Sequence, residues 1–106
     1  MTHKTEVLGQ LADTIAKRRN DSADQSYTAK LLSQGIEKCA AKFGEEAFEL
    51  ALAAMTPDKM HVTAEAADVL YHLIVLLEAV NVPVSQVMQE LERRKSQSGL
   101  AEKASR

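Results

Sequence analysis

Apolar residues recur three and four positions apart along this chain, and no segment alternates with period two. That spacing gathers them on one side of a helix with 3.6 residues per turn, so the chain reads as all-α. Val7, Leu8, Leu11 and Ile15 mark one face of a first helix, at roughly 4–19. Asn20 to Ser26 is a polar linker, and Ser26 or Thr28 is placed to cap the next helix. Gly35 breaks or bends that helix, dividing it into about 28–34 and 36–55. Thr56-Pro57 predicts a restart, with Thr as N-cap, Pro at the first helical position and Asp58 near the positive end of the dipole. The helix so started runs over about 57–80. Asn81-Val82-Pro83 ends it and opens a last helix at about 84–95. The expected organisation is one domain over 1–106, with a helical core (1–95) and a basic tail (96–106) that is irregular or partly ordered.

Two acidic clusters interrupt this pattern. Glu45, Glu46 and Glu49 lie in one apolar helix, and Glu65 and Asp68 lie in the next. Residues three or four apart share a helix face, so each cluster is local. Glu49 precedes Thr56 by seven residues and Glu65 follows it by nine. At ~1.5 Å rise per residue both stand about 10–14 Å from the turn, so antiparallel packing brings the clusters together. Ile36, Cys39, Phe43, Ala47, Leu50 and Ala54 form the apolar stripe of the first helix, with Glu46 within or beside it. Val62, Ala66, Val69, Leu73, Leu76 and Val80 form that of the second, with Glu65, Asp68 and His72 on the adjoining face. Carboxylates crowded at such a border repel one another and raise each other's pKa, and burying a charge costs several kcal/mol. A hard cation resolves both. Oxygen ligands favour Mg²⁺ or Mn²⁺ over Zn²⁺, and Mg²⁺ commonly shares its shell with phosphates. A di-iron bundle needs Glu-x-x-His, whereas here the spacings are Glu-x-x-Glu and Glu-x-x-Asp. The other reading is solvated surface acids paired with Lys38 and Lys42.

Composition narrows the function classes. The net charge of −2 argues against a general nucleic-acid binder. Residues 37–68 hold seven acids and three bases, whereas 93–106 hold five bases and one acid. Segregation of this kind pairs an acidic metal site with basic anion-binding edges, or simply makes solvated faces. A chain of 106 residues buries only about two-thirds of its unfolded surface, so association with further copies is expected to bury more. Cys39 is the sole cysteine, which excludes an internal disulfide and fits a reducing, cytoplasmic setting. It reads as a packing residue rather than a nucleophile. The first residues carry no apolar run, so no signal peptide is expected. The longest apolar stretch, Val69 to Leu77, is short of the ~20 residues of a membrane span, so no membrane partner is expected.

Lys42-Phe43-Gly44-Glu45-Glu46-Ala47-Phe48-Glu49 and Glu65-Ala66-Ala67-Asp68-Val69-Leu70-Tyr71-His72-Leu73 resemble the all-α nucleotide pyrophosphohydrolases of the MazG-like superfamily. Ser26-Tyr27-Thr28-Ala29-Lys30-Leu31-Leu32, Gly35 and Ser98-Gly99-Leu100-Ala101-Glu102-Lys103 narrow the resemblance to the phosphoribosyl-ATP pyrophosphohydrolase family of histidine biosynthesis. It covers nearly the whole chain. Cys39 and Phe43 depart from it, standing where that family more often has aliphatic residues. No cyclohydrolase domain is attached, so the expectation is the stand-alone form.

The resemblance implies a helical bundle completed by homodimerisation and a small-molecule nucleotide substrate. It implies Mg²⁺-dependent hydrolysis of phosphoribosyl-ATP to phosphoribosyl-AMP and pyrophosphate, with Mn²⁺ as a substitute ion. Glu46, Glu49, Glu65 and Asp68 would be metal ligands. Glu45 would be a further ligand or orient the attacking water, which makes Glu45 and Glu46 the catalytic candidates. Lys30, Lys38, Lys42, Arg93 and Arg94 are candidate phosphate contacts, with Lys95 beside them. Tyr71 and His72 read as packing groups or supports behind the ligands rather than as catalysts. Two other functions share the pattern: a house-cleaning pyrophosphatase for non-standard triphosphates, and a non-catalytic helical dimerisation module.

Overall fold

The computed structural model describes residues 6–95. They form α1 (Glu6–Arg18), α2 (Tyr27–Ser33), α3 (Ile36–Ala53), α4 (Lys59–Ala79) and α5 (Val84–Arg94), with no strand among the described residues. The expected all-α class holds. The tail over 96–106 and the start of the first helix before Glu6 lie outside the described residues.

The helix ends follow local chemistry. Ser26 is the N-cap of α2, its hydroxyl accepting from the Ala29 N–H at 3.1 Å. Gly35 takes φ +94°, a conformation that costs an L side chain strain, and there the chain breaks α2 from α3. The expected restart at Thr56-Pro57 is displaced. Thr56 instead closes α3, its hydroxyl donating to the Ala53 carbonyl at 2.7 Å. Asp58 caps α4 by accepting from the His61 N–H at 3.1 Å, so the helix begins at Lys59, two residues later than Thr-Pro chemistry predicts. A carboxylate at the N-cap satisfies an orphan N–H and meets the helix dipole together, and that combination wins over proline at the first position.

α3 and α4 pack antiparallel as a long hairpin, the most extensive helix pair in the molecule. α1 and α2 pack on one end of it, and α5 packs on α1. Arg19 ties α1 to the end of α4, donating to the Glu78 carbonyl at 2.6 Å and pairing with its carboxylate at 2.8 Å. The core sits at that end: Ile15, Leu31, Cys39, Ile74 and Val75, ringed by Leu8, Leu11, Leu32, Tyr71, Leu76 and Val84. The Cys39 thiol donates to the Leu31 carbonyl at 3.3 Å, and burial raises its pKa, so it is the packing residue expected.

The expected stripes are only partly buried. In α4, Val62, Ala66, Val69, Leu73 and Leu76 are half-buried and Val80 is exposed, whereas His72, Ile74 and Val75 are buried. In α3, Ile36 and Ala54 are exposed while Cys39 and Ala53 are buried. The far end of the hairpin carries exposed Phe48 (65%), Met55 (85%) and Met60 (85%). Accordingly the Cα radius of gyration is 15.7 Å, against about 13 Å for a compact chain of about 100 residues. By length and composition α4, at 21 residues, is apolar enough to cross a bilayer. Counting only the stretch Val69–Leu77, itself interrupted by His72, underestimates it. In this fold α3 and α1 pack along α4, which carries Glu65, Asp68 and Glu78.

Candidate active site

Midway along the hairpin the two acidic clusters meet. One carboxylate oxygen each from Glu46, Glu49 and Glu65 lies within 4.8 Å of the others. Antiparallel packing at matched heights does this, as the spacing about the turn predicts. Glu46 is mostly enclosed and its pKa is raised, first by burial, then by a hydrogen bond and charge from Glu49, then by Asp68, with Lys42 opposing. Oε2 of Glu65 is buried with no hydrogen-bond partner. Leaving such an atom unpaired costs about 1–3 kcal/mol, and more for a charged group.

The donor set fits a small hard cation. Mg²⁺ binds oxygen at about 2.1 Å, so its ligand oxygens stand about 3–4 Å apart. Oxygens within 4.8 Å of one another are near that spacing. A cation would supply the partner that Glu65 lacks and relieve the repulsion at Glu46.

The other expected residues divide into groups. Asp68 is exposed and close enough to raise the Glu46 pKa, but it is not one of the three convergent carboxylates. Glu45 faces outward, its side chain 62% exposed, and pairs with Lys42 at 3.6 Å. Lys42 thus stands beside the acids, and its pKa is raised by Tyr27 and then by Glu45. Lys38 is exposed in the first turns of α3, two turns before Glu45. Lys30 is exposed on α2, lining a surface cleft of about 490 Å³ with Tyr27. Arg93 and Arg94 bind Glu90 within α5, Arg93 at 2.7 Å and Arg94 at 3.5 Å. Their helix packs on α1, so the structure does not gather them with the carboxylates.

A ring cluster backs the acids, and sequence reasoning missed it as a unit. Tyr27 stacks on Tyr71 with centroids 6.4 Å apart, and His72 meets both rings edge-on at 6.2 and 5.0 Å. The Thr28 hydroxyl and the Tyr71 phenol share a hydrogen bond. Nε2 of His72 lies 3.9 Å from Oε1 of Glu46. Burial, then Lys42, lowers the His72 pKa below 6.5, so at neutral pH this contact is dipolar rather than an ion pair. The only sequence signal was the pair of motifs Ser26-Tyr27-Thr28 and Tyr71-His72, whose meeting requires the tertiary fold.

Known proteins resemble the chain over nearly all its length. The family model for phosphoribosyl-ATP pyrophosphohydrolase matches residues 8–95. The phosphoribosyl-ATP pyrophosphatase of Dinoroseobacter shibae is 55% identical, covering 94% of this chain and 98% of that protein. That of Cereibacter sphaeroides is 54% identical over 94% and 97%, and that of Methylobacterium radiotolerans 57% identical over 94% and 94%. A match that takes in α2, both acidic clusters and the turn between them, joined to relatives more than half identical, means that the chain belongs to the phosphoribosyl-ATP pyrophosphohydrolase family.

Proposed function

We propose that this protein hydrolyses phosphoribosyl-ATP to phosphoribosyl-AMP and pyrophosphate, the second step of histidine biosynthesis, with Mg²⁺ held by Glu46, Glu49 and Glu65. The observation that carries the reading is the convergence of those carboxylates, one of which, Glu65, keeps a buried oxygen unpaired. The family membership and the names of its relatives supply the substrate. When bound, Mg²⁺ neutralises triphosphate charge and lowers the pKa of coordinated water. Asp68, exposed at the edge of the trio, completes the ligand set when its side chain turns inward.

The chain's own residues do the rest. Lys42 meets the phosphates beside the acids and offsets their charge. Glu45, outward and solvated, orients the attacking water and takes its proton. Water attacks phosphorus at the α–β linkage, the bridging P–O bond breaks and pyrophosphate leaves, with no covalent nucleophile. His72, neutral and buried, holds Glu46 in place from behind. The protein acts as a homodimer, since the exposed Phe48, Leu52, Met55 and Met60 lie on the same hairpin as the acids and await cover.

Glu49→Gln tests the assignment, keeping size while removing charge. Its turnover of phosphoribosyl-ATP with Mg²⁺ should fall at least about a hundredfold with the helical fold intact. Near wild-type turnover in a folded variant sinks the ligand assignment.

A further inference from the structure

The segment Ser26-Tyr27-Thr28 does no work in the reaction as described, yet the structure holds it firmly. Ser26 and Thr28 are buried, and each makes a hydrogen bond that fixes the start of α2. Between them Tyr27 is 53% exposed. Its ring lies near-parallel to that of Tyr71, which Thr28 anchors, with centroids 6.4 Å apart, and stands perpendicular to that of buried His72 at 6.2 Å. One side of the Tyr27 ring is therefore backed by fixed groups while much of the ring is open to solvent.

The position of that ring is what gives it meaning. From Tyr27 the contacts run to His72 and on to Glu46 of the carboxylate trio. Lys42 lies near both Tyr27 and Glu45. Tyr27 also lines the cleft of about 490 Å³ together with Asp24, Gln25 and Lys30. A nucleotide with its phosphates at the acids and Lys42 thus finds an open aromatic ring next along, beside a cleft with an acid and an amide.

We propose that Tyr27 is a stacking platform for the purine ring of the substrate and that it contributes to choosing that substrate over ordinary nucleoside triphosphates. The inference rests on the reaction proposed above and assigns a residue for the base. A purine glycosylated on a second ring nitrogen is electron-poor, and the electron-rich face of a phenol favours it over an unmodified purine. Asp24 at the cleft reinforces that preference. A tyrosine also loses little rotamer freedom on binding, and its partners have already ordered this one.

Steady-state kinetics of the full chain with Mg²⁺ test it, using Tyr27→Leu and Tyr27→Phe. Leucine keeps apolar bulk on Tyr71 and removes the π face. For Tyr27→Leu the KM for phosphoribosyl-ATP should rise about tenfold while kcat holds. The KM for ATP should rise less. Inhibition by phosphoribosyl-AMP should weaken in step with the KM, and inhibition by pyrophosphate, which has no ring, should not move. Tyr27→Phe should restore the KM. An unmoved KM in Tyr27→Leu overturns the proposal. So does a fall in kcat with KM unchanged, or an equal weakening of pyrophosphate inhibition, because either makes Tyr27 a prop for His72 and Glu46. Wild-type protein that fails to turn over phosphoribosyl-ATP defeats the reaction itself. Active wild-type protein with an indifferent Tyr27→Leu defeats only the platform.

Discussion

The two ends of the α3–α4 hairpin use similar residues for opposite purposes. At one end α1 and α2 cover it, and Ile15, Leu31, Cys39, Ile74 and Val75 close a small apolar core. Toward the other end no element among the described residues covers it. There Glu46, Glu49 and Glu65 crowd together, and Phe48, Met55 and Met60 face outward. The first end gains stability from burial. The second crowds three carboxylates together and keeps a buried carboxylate oxygen unpaired. The difference teaches where stability and function separate within one pair of helices.

The comparison can be broken most severely at the packed end. Ile15→Ala should destabilise the fold by about 2–5 kcal/mol, read from urea unfolding, while the folded fraction keeps its KM. A large change in KM without loss of stability would mean that the two ends are not separate.

At the acidic end the expected sign reverses. The folded-state pKa of Glu46 is raised by burial and its acidic neighbours. Its contribution to stability is therefore present below the unfolded value of 4.5 and lost as pH rises through the folded value. Without metal the ionised form of Glu46 is a liability, so Glu46→Gln should melt higher than wild type in chelator at a pH above the folded value. The gap should narrow as the pH approaches 4.5. His72 works the other way. Its depressed pKa gives stability that is present above 6.5 and lost as pH falls, the opposite direction to Glu46. Adding Mg²⁺ should raise the melting temperature of wild type more than that of the variant.

The smallest effect sharpens the turn that sets the register. Asp58→Ala removes the cap of α4 and should cost about 1 kcal/mol in thermal unfolding. Thr56→Ala should cost less, since Thr56 only closes the preceding helix.

Much of this contrast was legible in the sequence. Five helices followed from periodicity, Gly35 and Pro83, and the meeting of Glu46 and Glu49 with Glu65 followed from counting residues about the turn. The buried face of α4 was not legible. That helix is apolar on nearly every side, so periodicity does not choose between Leu73 and Ile74, and the packing of α1 decides. The outward turn of Glu45 was equally hidden, because it depends on a rotamer paired with Lys42. The ring cluster joins residues 27 and 71–72, which no local rule connects.

Cys39 gives the packed end a chemical clock. It is the only thiol in the chain, is 1% exposed, and is held protonated by burial and by its bond to the Leu31 carbonyl. A reagent reaches it only when the core formed by Ile15, Leu31, Ile74 and Val75 opens, so its labelling rate counts those openings directly. The same seal keeps two molecules from joining through sulfur, so any association between copies would be left to surfaces that come apart again.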